Sequence, residues 1–152
     1  MIVNRQRRVR IPVQDLNRFL ASAQKRLRVP NGALTVALVS DLEMKRWNRA
    51  YRGKNRPTDV LSFPLENSHR AATKSSRRPS PPRRAKDLYL GDIAIAPAVA
   101  RKNAARFGRT FTAEMRILIL HGILHLMGYD HETDQGQMDR REGLLRRDLG
   151  LL

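Results

Sequence analysis

The sequence predicts a single domain that combines about four short strands with about five helices, one of them central. Three observations lead to this expectation. The chain has 152 residues, a length at which one domain can bury a substantial core. Short apolar runs of strand length alternate with longer stretches of helical periodicity. Cysteine is absent, so neither disulfides nor thiolate metal sites can substitute for a packed core.

The first part of the chain contains three predicted strands and two predicted helices. Apolar runs predict strands at about residues 1–9, 34–39 and 59–64. Apolar residues at helical spacing predict a helix over about 13–28. The second helix follows the second strand, with Ser40 or Asp41 as its N-cap.

Residues 66–87 contain no large apolar side chain and are rich in Pro, Ser and Arg. Such a composition cannot contribute to a core, so the segment is expected to be a disordered surface loop within the single domain 1–152. It contains seven Lys or Arg and two acidic residues, and the rest of the chain remains strongly basic without it.

The last part of the chain is predicted to be mostly helical. A strand is expected at 88–95, followed by helices at about 96–107, 112–127 and 133–148. The middle helix is apolar on nearly all sides, which is typical of a central helix. Thr112 is expected to cap it, with Glu114 in its first turn, where the helix dipole favours an anion.

The charge of the chain favours a polyanionic partner. The formal net charge is +16 and the pI is about 11.5. Guanidinium groups bind phosphates bidentately and stack on bases, so nucleic acid is the first expectation. General basicity that serves only solubility is the alternative. The longest apolar stretch, about 117–127, is too short to span a membrane, so no membrane association is expected.

Three of the four histidines, His121, His125 and His131, lie within eleven residues. Positions four apart on an α-helix differ by only about 40° in azimuth, so His121 and His125 project from one face. Gly128 stands where the helix is expected to end, and a left-handed residue there lets His131 return as a third ligand. The fourth histidine, His69, lies in the 66–87 segment and is expected to be solvated.

Three imidazoles predict a catalytic rather than a structural zinc site. Three histidine ligands leave one coordination position of Zn²⁺ open, and a water molecule bound there ionises at about pH 7. Ni²⁺, Cu²⁺ and Co²⁺ also accept imidazole ligands, so the spacing does not identify the metal. The alternative is that these histidines pack in the core or at the helix end without a metal.

The histidine spacing matches the pattern of metzincin proteases except at one position. Those enzymes have Glu directly after the first histidine as general base, whereas this chain has Gly122. The sequence therefore disfavours peptide hydrolysis, which stays the least favoured function.

Three motifs occur in a fixed order along the chain. They are Tyr51-Arg52-Gly-Lys54-x-x-Pro57-Thr58-Asp59-Val60-Leu61-Ser62-Phe63-Pro64, Leu90-Gly91-Asp92-Ile93 and His121-Gly-x-Leu-His125-Leu-x-Gly128-Tyr129-Asp130-His131. With these motifs the sequence resembles the YbeY family of bacterial rRNA-maturation endoribonucleases over nearly its whole length. The resemblance implies an α+β domain with a mixed sheet of about four strands against helices, and one zinc ion bound by His121, His125 and His131.

The resemblance also implies a function. It implies cytoplasmic, single-strand-specific cleavage of RNA in 16S rRNA 3′-end maturation and in ribosome quality control. Ribosomal proteins and a GTPase are the implied partners. A nonenzymatic RNA-binding assembly factor with a structural metal is the alternative from another class.

Arg52 and His121 are the residues predicted to be catalytic. Arg52 matches the family's arginine in the basic cavity beside the metal, where it would clamp a phosphate. The nucleophile is either metal-activated water or a ribose 2′-hydroxyl, and the sequence does not choose between them.

Several other polar residues of the motifs have weaker indications. Lys54 and Arg56 are weaker candidates for the same basic cavity. Asp59 and Asp92 are expected to anchor turns, and Asp130 either orients a histidine or stabilises a turn.

Overall fold

The computed structural model describes residues 1–65, 89–130 and 132–151. These ranges contain four strands and five helices, as the sequence predicts. In chain order they are β1 (Ile2–Asn4), α1 (Val13–Leu27), β2 (Leu34–Leu38), α2 (Asp41–Arg52), β3 (Val60–Pro64), β4 (Gly91–Ile95), α3 (Pro97–Phe107), α4 (Phe111–Leu126) and α5 (Gln137–Asp148).

The strands form one mixed sheet in the order β1-β2-β4-β3. β1, β2 and β4 run parallel, and β3 pairs antiparallel with β4 at the edge. The register places Ile93 of β4 between Val36 of β2 and Ser62 of β3. The structure therefore confirms the predicted α+β class with a mixed four-stranded sheet.

Helices cover both faces of this sheet. On one face α1 and α4 pack over the larger hydrophobic cluster, which includes Ile93 and Ile95. On the other face Met44 and Trp47 of α2 pack against a smaller cluster that includes Ala94. Alternate residues of β4 thus point to opposite helices, which is why its last three residues, Ile93, Ala94 and Ile95, are all apolar and buried.

The central helix α4 lies unusually close to the sheet at Gly122. A Cβ atom at this position would be 2.7 Å from Cγ2 of Ile93. The Ser62 hydroxyl of β3 donates to the carbonyl oxygen of Gly122 at 3.2 Å. Because Gly122 has no side chain, Ile93 packs directly against the backbone of α4, and this contact sets the height of the neighbouring His121 above β3 and β4.

The ends of three predicted elements need correction. The first strand ends at Asn4 rather than at residue 9, because the side chain of buried Gln6 binds the backbone of Val9 and folds residues 5–9 into a loop. Thr110, not Thr112, is the N-cap of α4, and its hydroxyl accepts from the Ala113 N–H at 3.1 Å. α5 begins at Gln137 rather than at about 133, after Gly136 with a φ of +91°.

The other boundaries agree closely with the expectation. Ser40, one of the two predicted caps, accepts from the Glu43 N–H at 3.2 Å and begins α2. The fourth strand begins at Gly91, and residue 88 lies outside the described residues, as does the predicted 66–87 loop. None of the helices in the described ranges has the length and apolar character needed to cross a membrane.

Candidate metal centre

His121 and His125 meet at one point on α4, as their spacing predicts. Their Nε2 atoms are 3.1 Å apart, and the two rings lie nearly perpendicular, with centroids 4.7 Å apart. Both side chains are half-buried, because they emerge from the otherwise apolar face of a central helix. The structure therefore brings two of the three predicted ligands together.

The separation of these nitrogens fits a shared metal ion. Two nitrogens bound at about 2.0–2.1 Å to one tetrahedral zinc lie roughly 3.3 Å from each other. The observed 3.1 Å is close to that value. Imidazole nitrogens are also ligands that zinc and neighbouring transition metals accept. The donor set thus suits a divalent transition metal.

The third predicted ligand, His131, lies outside the described residues, and so does His69. The described chain nevertheless turns just before His131, because Gly128 has a φ of +100° and donates to the carbonyl oxygen of His125 at 3.0 Å. Among residues 1–65, 89–130 and 132–151, no three His, Asp or Glu side chains form a complete metal group. A three-histidine site therefore remains a prediction.

Glu142 of α5 contacts Nδ1 of His121, the ring nitrogen that does not face His125, and the sequence did not predict this contact. Its Oε1 is 3.1 Å from His121 Nδ1, and its Oε2 is 3.4 Å from Nη2 of Arg146. Burial raises the pKa of the Glu142 carboxyl, but the hydrogen bond from His121 and the charge of Arg146 outweigh burial, so the pKa falls below its ordinary value.

The ionised Glu142 carboxylate fixes the tautomer of His121. An anionic acceptor at Nδ1 favours a proton on that nitrogen, which leaves the lone pair on Nε2, the atom that faces His125. The spacing of apolar residues in the sequence could have identified Glu142. This acid shares the buried face of α5 with Met138 and Leu145, where an acid without a partner is costly.

Arg52, the last residue of α2, reaches the segment that joins α4 to α5. Its Nη2 atom is 3.3 Å from Oε1 of Glu132, the residue after His131. Both side chains are largely exposed, so this ion pair is weak. The structure therefore places the predicted arginine against the residue that follows His131 in the sequence.

An aromatic pair lies beside Arg52. Tyr51 is 71% exposed and packs edge-on against Phe63 of β3, with ring centroids 5.0 Å apart. Phe63 also packs against Trp47 on the same side of the sheet. A cation and an exposed aromatic ring are thus neighbours on the chain at the end of α2.

Comparison with known proteins identifies the relationship that these motifs indicate. Residues 1–149 match the family model described as "Endoribonuclease YbeY". The chain belongs to the YbeY family. This confirms the family that the sequence motifs predict.

Curated relatives and one solved structure support this membership. The endoribonuclease YbeY of Koribacter versatilis is 37% identical over 151 residues, which cover 99% of this chain and 86% of the relative. The YbeY of Solibacter usitatus is 41% identical over 137 residues, or 90% of this chain and 78% of the relative. The solution structure of TM1509 from Thermotoga maritima is similar, with a TM-score of 0.61 and 29% identity, covering 98% of this chain and 89% of that one.

Three aspartates of the YbeY motifs accept hydrogen bonds that stabilise the fold. Asp59 accepts from the Val60 N–H at 2.8 Å and from the Asn103 amide at 3.1 Å, which is the anchoring role expected of it. Asp92 accepts the hydroxyl of Tyr89. Asp130 accepts from the Glu132 N–H at 3.0 Å, so its observed role is in the turn.

Lys54 and Arg56, the weaker candidates, are exposed in the loop after α2. Buried Asn48 donates to the carbonyl oxygen of Arg56 at 2.8 Å and so fixes the loop backbone. The described contacts give neither cation a place in the candidate centre.

Proposed function

We propose that this chain is a zinc-dependent endoribonuclease that cleaves single-stranded RNA during 16S rRNA 3′-end maturation and ribosome quality control. The chain is an endoribonuclease of rRNA processing by its family. We further propose that it binds zinc, prefers single strands and uses the residues named below. We also propose that it contacts ribosomal proteins and a GTPase in the cytoplasm.

The observation that supports a metal site is that the Nε2 atoms of His121 and His125 lie 3.1 Å apart. The other ring nitrogen of His121, Nδ1, is bound by the Glu142 carboxylate. This is the arrangement of a histidine prepared to ligate. We assign His121, His125 and His131 as ligands of one zinc ion. When bound, zinc supplies a Lewis acid for the phosphodiester and for an attacking water or ribose 2′-hydroxyl.

Arg52 is assigned to the phosphate of the substrate. A guanidinium binds two phosphate oxygens at once and offsets the charge that develops during cleavage. Its present partner, Glu132, is 64% exposed, so exchanging that carboxylate for a phosphate costs little. Tyr51 beside it offers an exposed ring on which an unpaired base can stack.

Gly122 argues against peptide hydrolysis by a metzincin mechanism. The general base of those enzymes follows the first histidine. At this position of the chain a Cβ atom would be 2.7 Å from Ile93, so the position points into the sheet. No side chain there could reach a substrate.

Cleavage of a labelled single-stranded 16S rRNA 3′ segment tests the proposal, with bound metal quantified in each protein. Wild type is compared with His121→Ala, Arg52→Ala and the control Arg18→Ala, an exposed arginine of α1. We expect about one zinc in the wild type and little in His121→Ala, which should not cleave. Arg52→Ala should keep its zinc and lose about 10²–10³-fold in kcat/KM.

Two results would contradict the proposal. Equal cleavage by wild type and His121→Ala would assign the activity to another site or a contaminant. Tight binding of RNA and zinc without cleavage would favour a nonenzymatic assembly factor with a structural metal. The product ends identify the nucleophile, because a 2′,3′-cyclic phosphate requires attack by the 2′-hydroxyl.

A further inference from the structure

The loop after β1 is held rigid by a buried glutamine. Gln6 is only 8% exposed, and its amide nitrogen donates to Asn4 Oδ1 and to the Val9 carbonyl oxygen, both at 2.9 Å. Its Oε1 accepts from the Val9 N–H at 2.9 Å, and Val9 itself is 4% exposed. The loop is therefore fastened to the core at both ends, and its other side chains, Arg5, Arg7 and Arg8, are exposed.

These arginines line an open groove that we call the basic groove. It consists of two adjoining cavities of about 280 and 230 Å³ that share Arg8, Asp41 and Ala98. Its charged lining comprises five cations, Arg5, Arg7, Arg8, Arg101 and Lys102, and one carboxylate, Asp41.

Most of the positive charge of the groove is not neutralised. Arg5 pairs with Glu43 at 2.9 Å, and the Arg101 guanidinium lies 5.6 Å from the centre of the Phe111 ring. Arg7, Arg8 and Lys102 form no ion pair within the described part of the chain. Three exposed cations thus converge on a concave surface with a single acid.

The groove lies at one end of the strands of the sheet, and the candidate metal centre lies toward their other end. It is built from the segments that follow β1, β2 and β4, where these parallel strands end. The C-terminal end of α4, which carries His125, lies toward the start of β4, because Leu126 packs against Gly91, the first residue of that strand. Gly122, the neighbour of His121, packs on Ile93 in the middle of β4, so the two sites are separated along this strand by on the order of 10 Å.

We infer that the basic groove binds the phosphate backbone of the RNA substrate at a distance from the bond that is cleaved. Pockets for small molecules bury most of their ligand and have few charged groups, whereas this groove is open to solvent and is lined by five cations. Guanidinium groups on a pre-ordered loop bind phosphates with little loss of conformational freedom. This inference rests on the proposed function for the identity of the polyanion.

A charge-neutralising variant tests the groove. Arg7→Gln/Arg8→Gln/Lys102→Gln is compared with Arg18→Gln/Lys25→Gln/Arg147→Gln, which removes the same charge from exposed positions on α1 and α5. The probes are a labelled single-stranded RNA of about 20 nucleotides and a labelled dinucleotide, whose single phosphate is the one that is cleaved and therefore cannot also occupy the groove. Circular dichroism and the Tm confirm that both variants are folded.

For the long RNA we expect the groove variant to bind about ten- to thirtyfold more weakly than the control at about 0.1 M salt. The slope of log K against log salt should fall by about 2, since each lost phosphate contact in a single strand contributes about 0.7. KM for the long RNA should rise with kcat unchanged, and cleavage of the dinucleotide should equal that of the control.

The outcomes separate the groove from the proposed function. If the groove variant binds and cleaves long RNA like the control, the groove has another partner and the inference is wrong. If the wild type binds long RNA through the groove but cleaves nothing, the groove stands and the proposed function fails. A wild type that binds neither RNA overturns both.

Discussion

Glu142 determines which nitrogen of His121 is available to a metal. The charges form a chain in which Arg146 contacts Glu142, Glu142 contacts His121 Nδ1, and His121 Nε2 faces His125. A carboxylate behind a ligating histidine fixes the ring and increases its basicity. The chemistry of the candidate centre thus depends on a residue that does not itself contact the metal position.

Replacing that carboxylate should weaken metal binding without unfolding the protein. Glu142→Gln keeps the shape and one acceptor oxygen but removes the charge. We expect zinc affinity to fall about 10–100-fold, measured by competition with a chromogenic chelator. Asp139→Asn removes a carboxylate from the exposed face of the same helix and should bind zinc like the wild type. Equal affinities for all three proteins would contradict the role of Glu142.

Gly122 has a steric role that a single methyl group can test. Gly122→Ala should destabilise the protein by about 1–3 kcal/mol, because the new Cβ would lie 2.7 Å from buried Ile93. The matched change Gly143→Ala, in α5 with no atom within 4 Å of its Cβ, should stabilise by about 0.5–1 kcal/mol. Urea denaturation measures both, and a shift of the same sign in both variants would refute the close contact.

At the scale of the element, the start of α4 depends on Thr110 and on a partly buried ion pair. The Thr110 hydroxyl caps the helix, and Arg109 Nη1 pairs with Oε2 of Glu114 at 2.9 Å. Glu114 lies in the first turn, as the sequence predicts, and its side chain is only 4% exposed. These contacts fix the start of the helix, and the periodicity of α4 then orients His121 and His125 near its other end.

The position of the cap can be tested with two neighbouring threonines. Thr110→Ala should lower the free energy of unfolding by about 1 kcal/mol, because the Ala113 N–H loses its acceptor. Thr112→Ala, the residue that the sequence favours as the cap, should change stability by less than about 0.5 kcal/mol. Guanidinium denaturation distinguishes them, and the reverse order of effects would show that the helix begins later.

At the scale of the whole molecule, a metal that binds the folded chain should raise its Tm. With free zinc at about 100 times its Kd, the stabilisation is roughly 2.7 kcal/mol. For a domain of this size that corresponds to about 5–10 °C. Thermal unfolding with added zinc and then with chelator measures the shift, and His121→Ala should not respond to either. An equal response from His121→Ala would place the zinc elsewhere.

The sequence by itself determined the local features of this protein. Apolar periodicity predicted all four strands and all five helices of the described chain, since it reflects which side of each element is buried. The four-residue spacing of His121 and His125 predicted that their rings would meet, because helix geometry alone fixes that relation. The order of the motifs predicted the family.

Only the tertiary structure decided which distant residues meet. Glu142 contacts His121 across 21 residues and Arg52 contacts Glu132 across 80, and each contact depends on how separate elements of the fold pack together. The first strand is short because the Gln6 side chain satisfies the backbone of Val9, a contact that apolar spacing does not encode. The basic groove likewise exists because the sheet brings the segments that follow β1, β2 and β4 together at one end of the strands. Local spacing fixes conformation within an element, whereas contacts between elements follow from the packing of the whole core.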